Sequence, residues 1–287
     1  MTARNWSTSS AARAGAGIQL LEHLPAARVS TVFTDIDDTL TTAGKLGAQA
    51  YTALEALQRA GLRVIPVTGR PAGWCDHIAR MWPVDGVIGE NGAFYMWHDQ
   101  DSGKLRTRHL LDPAGRADNA ARMAQVRQRI LREVPGCALA SDQFCRQYDL
   151  AIDFCEDVPA LAPDQIDRIV QIMEQAGMTA RISSIHVNGW FGDYDKLSMA
   201  KLMMQERYGI DLDDAAQRSR CVFAGDSPND APMFAYFPLS VGVANVFNFF
   251  ERLPHPPHFI TRQACGAGFA ELAQHLLSAL ASAPAGA

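Results

Sequence analysis

The sequence predicts an α/β fold: a Rossmann-like, doubly wound parallel sheet, interrupted by an inserted α+β domain. Three observations predict it. Short, almost continuously apolar strands alternate with amphipathic helices as far as residue 92 and again from residue 196, the pattern of a parallel sheet covered on both faces. Between these two stretches the pattern changes to alternating strands and longer helices. Polar clusters sit just after several of the apolar strands, where open α/β sheets bind ligands.

The elements follow in order. Residues 1–27 are rich in Ala, Ser, Thr, Gly and Arg and are expected to be a disordered tail, with Ile18, Leu20, Leu21 and Leu24 able to form a short helix. Val29 to Thr34 is a strand. Gly47 to Ala60 is a helix with Tyr51, Leu54 and Leu57 on one stripe, stopped by Gly61. Leu62 to Thr68 is a second strand, Pro71 to Met81 a helix opened by proline, and Gly86 to Gly89 a third strand. Ala93 to His98 and Lys104 to Leu111 flank a polar turn. A helix over Arg116 to Val134, a strand over Tyr148 to Phe154, a helix over Pro163 to Ala176 and an alternating segment over Thr179 to Trp190 complete the insert. The first pattern then resumes with a helix (Lys196 to Tyr208), a strand (Arg220 to Ala224), a short helix (Ala231 to Ala235), a strand (Leu239 to Val243) and a last helix (Ala267 to Leu280). The expected division is therefore a tail over 1–27, a discontinuous domain over 28–92 and 191–281, and an inserted domain over 93–190.

Composition narrows the function. The chain has 287 residues, is 48% hydrophobic and 20% charged, and carries a formal net charge of −5. This suits a globular enzyme and lacks the basic balance of a nucleic-acid binder. The arginines between Arg116 and Arg132 fall at helical spacing and read as a solvated helix face. Six cysteines form no CxxC pair and no zinc-type spacing with histidine, so reduced thiols and a cytoplasmic location are expected. Neither a signal peptide nor a membrane span is expected, because no apolar segment suits either.

The chemistry concentrates at strand ends. Asp35, Asp37 and Asp38 follow the first strand, with the hydroxyls of Thr34, Thr39 and Thr41 among them. Carboxylates so close need a cation or a proton, and Mg²⁺ suits an all-oxygen site. Thr68-Gly69-Arg70 follows the second strand, and Gly225-Asp226-Ser227-Pro228-Asn229-Asp230 follows the strand at Val222. Lys196 opens the helix after the insert. Phosphoryl transfer needs a nucleophile, a proton donor for the leaving oxygen, a metal, and donors for the equatorial oxygens, and these residue types could supply each.

DIDDTLT, TGR, the isolated Lys196 and GDSPND resemble the four motifs of the haloacid dehalogenase (HAD) superfamily of phosphatases. The resemblance implies Asp35 as nucleophile and metal ligand, and Asp37 as general acid and base whose carbonyl also reaches Mg²⁺. It implies Thr68 as a phosphoryl donor helped by backbone around Asp38, Lys196 as a charge partner, and Asp226 and Asp230 as further metal ligands. The insert lies between the second motif and the lysine, and Gly89-Glu90-Asn91-Gly92-Ala93 resembles the approach to the cap in the Cof-like, IIB subgroup. The inserted domain is thus expected to be a C2B-type cap that reads the leaving group. Candidate substrate contacts are Asp38, Thr39, Gly69, Arg70, Asn91, His186, Asn188 and Asn229, with Glu90 and Ser227 beside them. Arg70 reads as structural rather than catalytic and His186 as an outward-facing strand residue before a contact, while Ser227 can equally be a helix cap and Asn188 with Gly189 a turn. The implied activity is Mg²⁺-dependent hydrolysis of a small phosphorylated metabolite, most plausibly a sugar phosphate, by a monomer or homodimer. A phosphomutase and a non-catalytic sugar-phosphate binder are the alternatives.

Overall fold

A computed structural model describes residues 17–183 and 185–282. Residues 1–16 of the expected tail lie outside them. The described strands are β1 (Gln19–Leu20), β2 (Thr31–Thr34), β3 (Thr41–Thr42), β4 (Lys45–Leu46), β5 (Arg63–Pro66), β6 (Val87–Gly89), β7 (Phe94–Asp99) and β8 (Lys104–His109). They continue with β9 (Ala138–Leu139), β10 (Asp149–Asp153), β11 (Thr179–Ile182), β12 (His186–Trp190), β13 (Cys221–Gly225), β14 (Leu239–Gly242) and β15 (Phe259–Ile260). Packing divides the chain into two compact units: residues up to Pro66 with Gly209–Asp226 and Asp230 onwards, and Val67–Tyr208 with Ser227–Asn229.

The first unit holds a six-stranded sheet in the order β1-β15-β14-β13-β2-β5, parallel at every pairing. Val32, Phe33, Val64, Ile65, Val222, Phe223 and Val241 are all fully buried, as continuous apolar runs require when both faces of a parallel sheet are covered. The helix Ala48–Arg59 buries Ala50, Ala53, Leu54 and Leu57. Tyr51 lies off that stripe and is exposed, one helical position away from the expected face. The expected tail is also shorter than 1–27. Gln19 and Leu20 pair with Phe259 and Ile260, and Leu21 and Leu24 are buried, because this edge of the sheet gives their apolar side chains cover. Only Leu21–His23 of the expected helix forms, as one 3₁₀ turn.

The second unit has two sheets. The antiparallel β6-β7-β8 sheet packs with the helices Ala72–Met81 and Lys196–Tyr208. The sheet β11-β12-β10-β9 is antiparallel throughout. It shares one apolar core with the helices Pro113–Glu133 and Pro163–Gln175, built on Val126, Ile130, Ile152, Ile169, Ile172 and Val187. Thr179 to Trp190, which alternates like one strand, folds as a hairpin of β11 and β12; the Ser183 hydroxyl accepts from the His186 amide at the turn. Trp190 and Phe191 are buried.

Candidate active site

Register in the first sheet places the acids. β2 and β13 run parallel with Thr34 opposite Ala224, and the Asp35 amide donates to the Ala224 carbonyl at 2.8 Å. Asp35 and Asp226 therefore leave the ends of adjacent strands side by side. Asp230 returns to the same place: its Oδ2 accepts from the Asp226 amide at 3.0 Å. One oxygen each from Asp35, Asp226 and Asp230 lies within 4.8 Å of the others, and all three residues are buried. At that distance two carboxylates repel by about 3–4 kcal/mol at an effective dielectric near 20. Buried, hard, all-oxygen donors of this charge fit Mg²⁺. Gly225 makes the approach of Asp230 possible, since a Cβ on Gly225 would stand 2.5 Å from the Asp230 carboxylate.

Asp37 lies in the loop after β2, half-buried, and is not one of the clustered three. The loop closes on itself: the amides of Thr39, Leu40 and Thr41 all point at the Ile36 carbonyl. The Asp38 amide donates to the Thr41 hydroxyl at 3.0 Å, so this N–H is spent inside the loop. The Thr39 hydroxyl faces Asp226 Oδ1 at 3.4 Å.

Asn245 carries no signal in the sequence, yet it ties this half together. Its Nδ2 donates to the Asp38 carbonyl and to Asp226 Oδ2, both at 2.9 Å. Its Oδ1 accepts from the Cys265 amide at 2.8 Å. A neighbour that orients a ligating carboxylate typically changes metal affinity 10–100-fold when removed. If the triad holds Mg²⁺, N245A weakens that binding about tenfold or more, read from the Mg²⁺ dependence of the thermal midpoint.

Within the second unit, Thr68, Gly69, Arg70, Asn91, Asn229 and Lys196 gather around a single turn. Glu90 and Asn91 both have positive φ, at 43° and 56°. The Asn91 amide donates to the Thr68 carbonyl at 3.0 Å, and its side chain accepts from Asn229 Nδ2 at 3.3 Å. The Ser227 hydroxyl in turn donates to Asn229 Oδ1 at 2.8 Å. Gly92 packs directly on the Asp195 carbonyl, leaving no room for a Cβ, and this holds the helix start at Lys196 against the turn. Asp195 exchanges hydrogen bonds with Ser198 to start that helix, which gives it a structural role. Lys196 is 1% exposed. An ammonium so buried is sustained only by nearby anionic or polar partners.

A buried network fixes the turn. The Glu90 carboxylate accepts from the amides of Ala72, Gln147, Tyr148 and Asp149. Burial, and then Asp149, push its pKa up to about 8, against the pull of Arg146 and the backbone amides. Arg146 donates to the Gly69 carbonyl at 2.8 Å and pairs with Asp142 and Asp149. Neither role is visible in the sequence, because these residues meet only through the fold.

Three expected substrate contacts have partners of their own in this network. Arg70 pairs with Asp142 at 3.3 Å and Glu156 at 2.8 Å and lies over the Trp74 ring, matching the structural alternative. His186 is buried, not outward-facing, with its Nε2 2.9 Å from Glu156 Oε2. Asn188 is a β12 residue rather than part of a turn, and its amide donates to Asp149 at 2.8 Å. His186 first, and then Arg70, hold the Glu156 carboxyl down to about 2 from an ordinary 4.5. A depressed carboxylate contributes stability that is complete above its unfolded pKa and is lost as pH falls through the folded one. The wild-type thermal midpoint is therefore expected to drop more steeply than that of E156Q as pH falls from 4.5 towards 2.

Comparison with known proteins agrees with this architecture. Residues 32–124 match the family model described as haloacid dehalogenase-like hydrolase, and no curated protein sequence matches. A Thermoplasma acidophilum protein superposes with a TM-score of 0.64 at 17% identity, over 87% of this chain and 98% of that one. A HAD-superfamily phosphatase from Bacteroides thetaiotaomicron superposes with a TM-score of 0.58 at 18% identity, over 88% and 96%. The sucrose-phosphatase of Synechocystis, solved with sucrose and phosphate, superposes with a TM-score of 0.58 at 16% identity, over 87% and 98%. At these identities the structural likeness speaks for the fold. Among the described residues no helix is long and apolar enough to cross a membrane.

Proposed function

We propose that this chain is a HAD-superfamily, Mg²⁺-dependent phosphomonoesterase acting on a small phosphorylated metabolite, a reading supported by its matched segment. The observation that carries the reading is the buried triad of Asp35, Asp226 and Asp230 at adjacent strand ends. A bound Mg²⁺ would neutralise charge on the triad and on the phosphoryl oxygens.

In this reading an Asp35 carboxylate oxygen attacks phosphorus while the bond from phosphorus to the leaving oxygen breaks. Asp37 gives that oxygen its proton. Asp37 then takes a proton from water, which attacks the aspartyl-phosphate, releasing inorganic phosphate and restoring Asp35. The half-exposed position of Asp37 suits a group that exchanges protons with water. The resemblance gives Thr68 and Lys196 the roles of phosphoryl donor and charge partner. The second unit's residues 93–190 would act as the C2B-type cap, with residues 28–92 and 191–281 as the catalytic division.

Sugar phosphates are the favoured substrates, supported by the sugar phosphatases that share the fold. Phosphate release from hexose, pentose and disaccharide phosphates, phosphoglycerate derivatives, nucleotides and pyridoxal phosphate, with and without Mg²⁺, tests this. Metal-dependent release concentrated on one sugar phosphate supports the reading. No release from any of them by folded protein with Mg²⁺ contradicts it.

A further inference from the structure

The turn Glu90–Gly92 is costly as built. Two consecutive non-glycine residues hold positive φ, followed by Gly92 at 108°, and such positions cost on the order of 1 kcal/mol each. The turn also buries Asn91 to 2% exposure, and its Nδ2 has no hydrogen-bond partner among the described residues. A buried amide donor left without an acceptor is a further penalty. Four backbone amides bound to Glu90 hold the turn in place, so neither cost is relaxed. Strain and an unmet donor at one residue mark a place where something else is meant to be bound.

The geometry of the carboxamide narrows what that is. Its Oδ1 is taken by Asn229, which leaves Nδ2 as the end without an acceptor among the described residues. Both carboxamide atoms lie 3.2 Å from where a Cβ of Gly69 would be. A Cβ there would be tighter than ordinary contact, so the glycine at 69 eases the amide's approach to the Thr68–Gly69 backbone. The Thr68 hydroxyl is nearby and accepts from the Arg70 amide at 3.0 Å, so its own hydrogen remains available to donate. Two neutral donors thus sit on adjoining segments, with the Asn91 backbone bonded to Thr68. An acceptor with several oxygens, held without a countercharge from either donor, is the ligand such a pair suits.

We propose that Asn91 is a substrate-contacting residue whose Nδ2–H donates to an oxygen of the transferring phosphoryl group, beside the Thr68 hydroxyl. The inference rests on the phosphoryl role proposed for Thr68. Preset by Asn229 and the Glu90 clamp, the amide needs no reorganisation when charge develops on that oxygen, which is where a fixed donor is worth most.

Orthovanadate, an oxyanion that mimics phosphate in transfer, is the probe, with p-nitrophenyl phosphate as substrate and Mg²⁺ present. N91D keeps the oxygen that accepts from Asn229 and replaces the donor by an acceptor. N91G removes the side chain and suits the left-handed backbone, so it relieves strain. Both are expected to lower kcat about 100-fold and to weaken vanadate binding, while the thermal midpoint of N91G stays equal to or above that of wild type. T68A in parallel separates the two readings. If T68A weakens vanadate binding and N91D does not, Asn91 is no phosphoryl contact and Thr68 keeps its role. If neither does, the phosphoryl reading of this corner fails with it. Loss of activity in N91G matched by loss of thermal stability, with vanadate affinity retained, would show a merely structural asparagine and overturn the proposal.

Discussion

D35N is expected to abolish phosphate release, lowering kcat by at least about 10³-fold, while leaving the fold intact. The carboxamide is nearly isosteric, and its backbone contact to Ala224 does not involve the side chain. The electrostatics make a second, sharper expectation. Asp35 shares a buried site with Asp226 and Asp230, so removing its charge removes like-charge repulsion. Without metal, the thermal midpoint of D35N should equal or exceed that of wild type. With Mg²⁺, the wild type should gain more stability than the variant, because one anionic ligand is gone. A variant that loses activity by misfolding would show the opposite order without metal. Retained turnover would remove Asp35 as the nucleophile.

G92A is expected to be the most destabilising of the glycine substitutions in the second unit's turns. At φ 108° an alanine is strained whatever space it has, and here its Cβ would also overlap the Asp195 carbonyl. Backbone strain of about 1–2 kcal/mol and overpacking of about 1–3 kcal/mol sum to roughly 2–5 kcal/mol, with the clash falling on backbone that cannot rotate away. G103A is the control. Gly103 also has positive φ, at 64°, but nothing stands within 4 Å of its added Cβ, so only the strain should appear. Urea midpoints of the two variants check this. G92A should also perturb activity in the molecules that remain folded, since Gly92 holds the start of the helix at Lys196. Equal midpoints for the two variants would mean that the contact with Asp195 yields.

Much of this was legible in the sequence. Continuous apolar strands marked the parallel sheet, and the resemblance implied Asp35, Asp37, Asp226 and Asp230 as metal ligands; of these Asp35, Asp226 and Asp230 cluster, because parallel strands in register bring the ends of β2 and β13 together. The brief alternation at Tyr148 to Phe154 and the helical periods around it gave the insert. What escaped was set by the fold alone. Asn245 lies in a segment, Ala244–Arg252, that forms 3₁₀ turns, which have no clear sequence period. Arg146 and Glu90 are ordinary charged residues until the fold buries them on facing backbones. His186 and Asn188 looked like ligand contacts because polar residues on a strand are conspicuous, but each has a carboxylate partner of its own, Glu156 for His186 and the buried Asp149 for Asn188. The β11–β12 hairpin was hidden because alternation continues across a turn as readily as along a strand. The edge strand β1 was hidden because two residues carry no period.

The central claim is covalent transfer of the phosphoryl group to Asp35, and trapping it is the most direct test. In the proposed mechanism D37N lacks the group that activates water, so the phospho-enzyme should accumulate with Mg²⁺ and p-nitrophenyl phosphate, whose leaving group needs no proton from Asp37. Mass spectrometry of the quenched, digested protein should then find one added phosphoryl group on the peptide containing Asp35, absent when Mg²⁺ is withheld and absent from D35N/D37N. A phosphoryl group on any other residue, or normal turnover by D37N with no labelled peptide, would contradict the account.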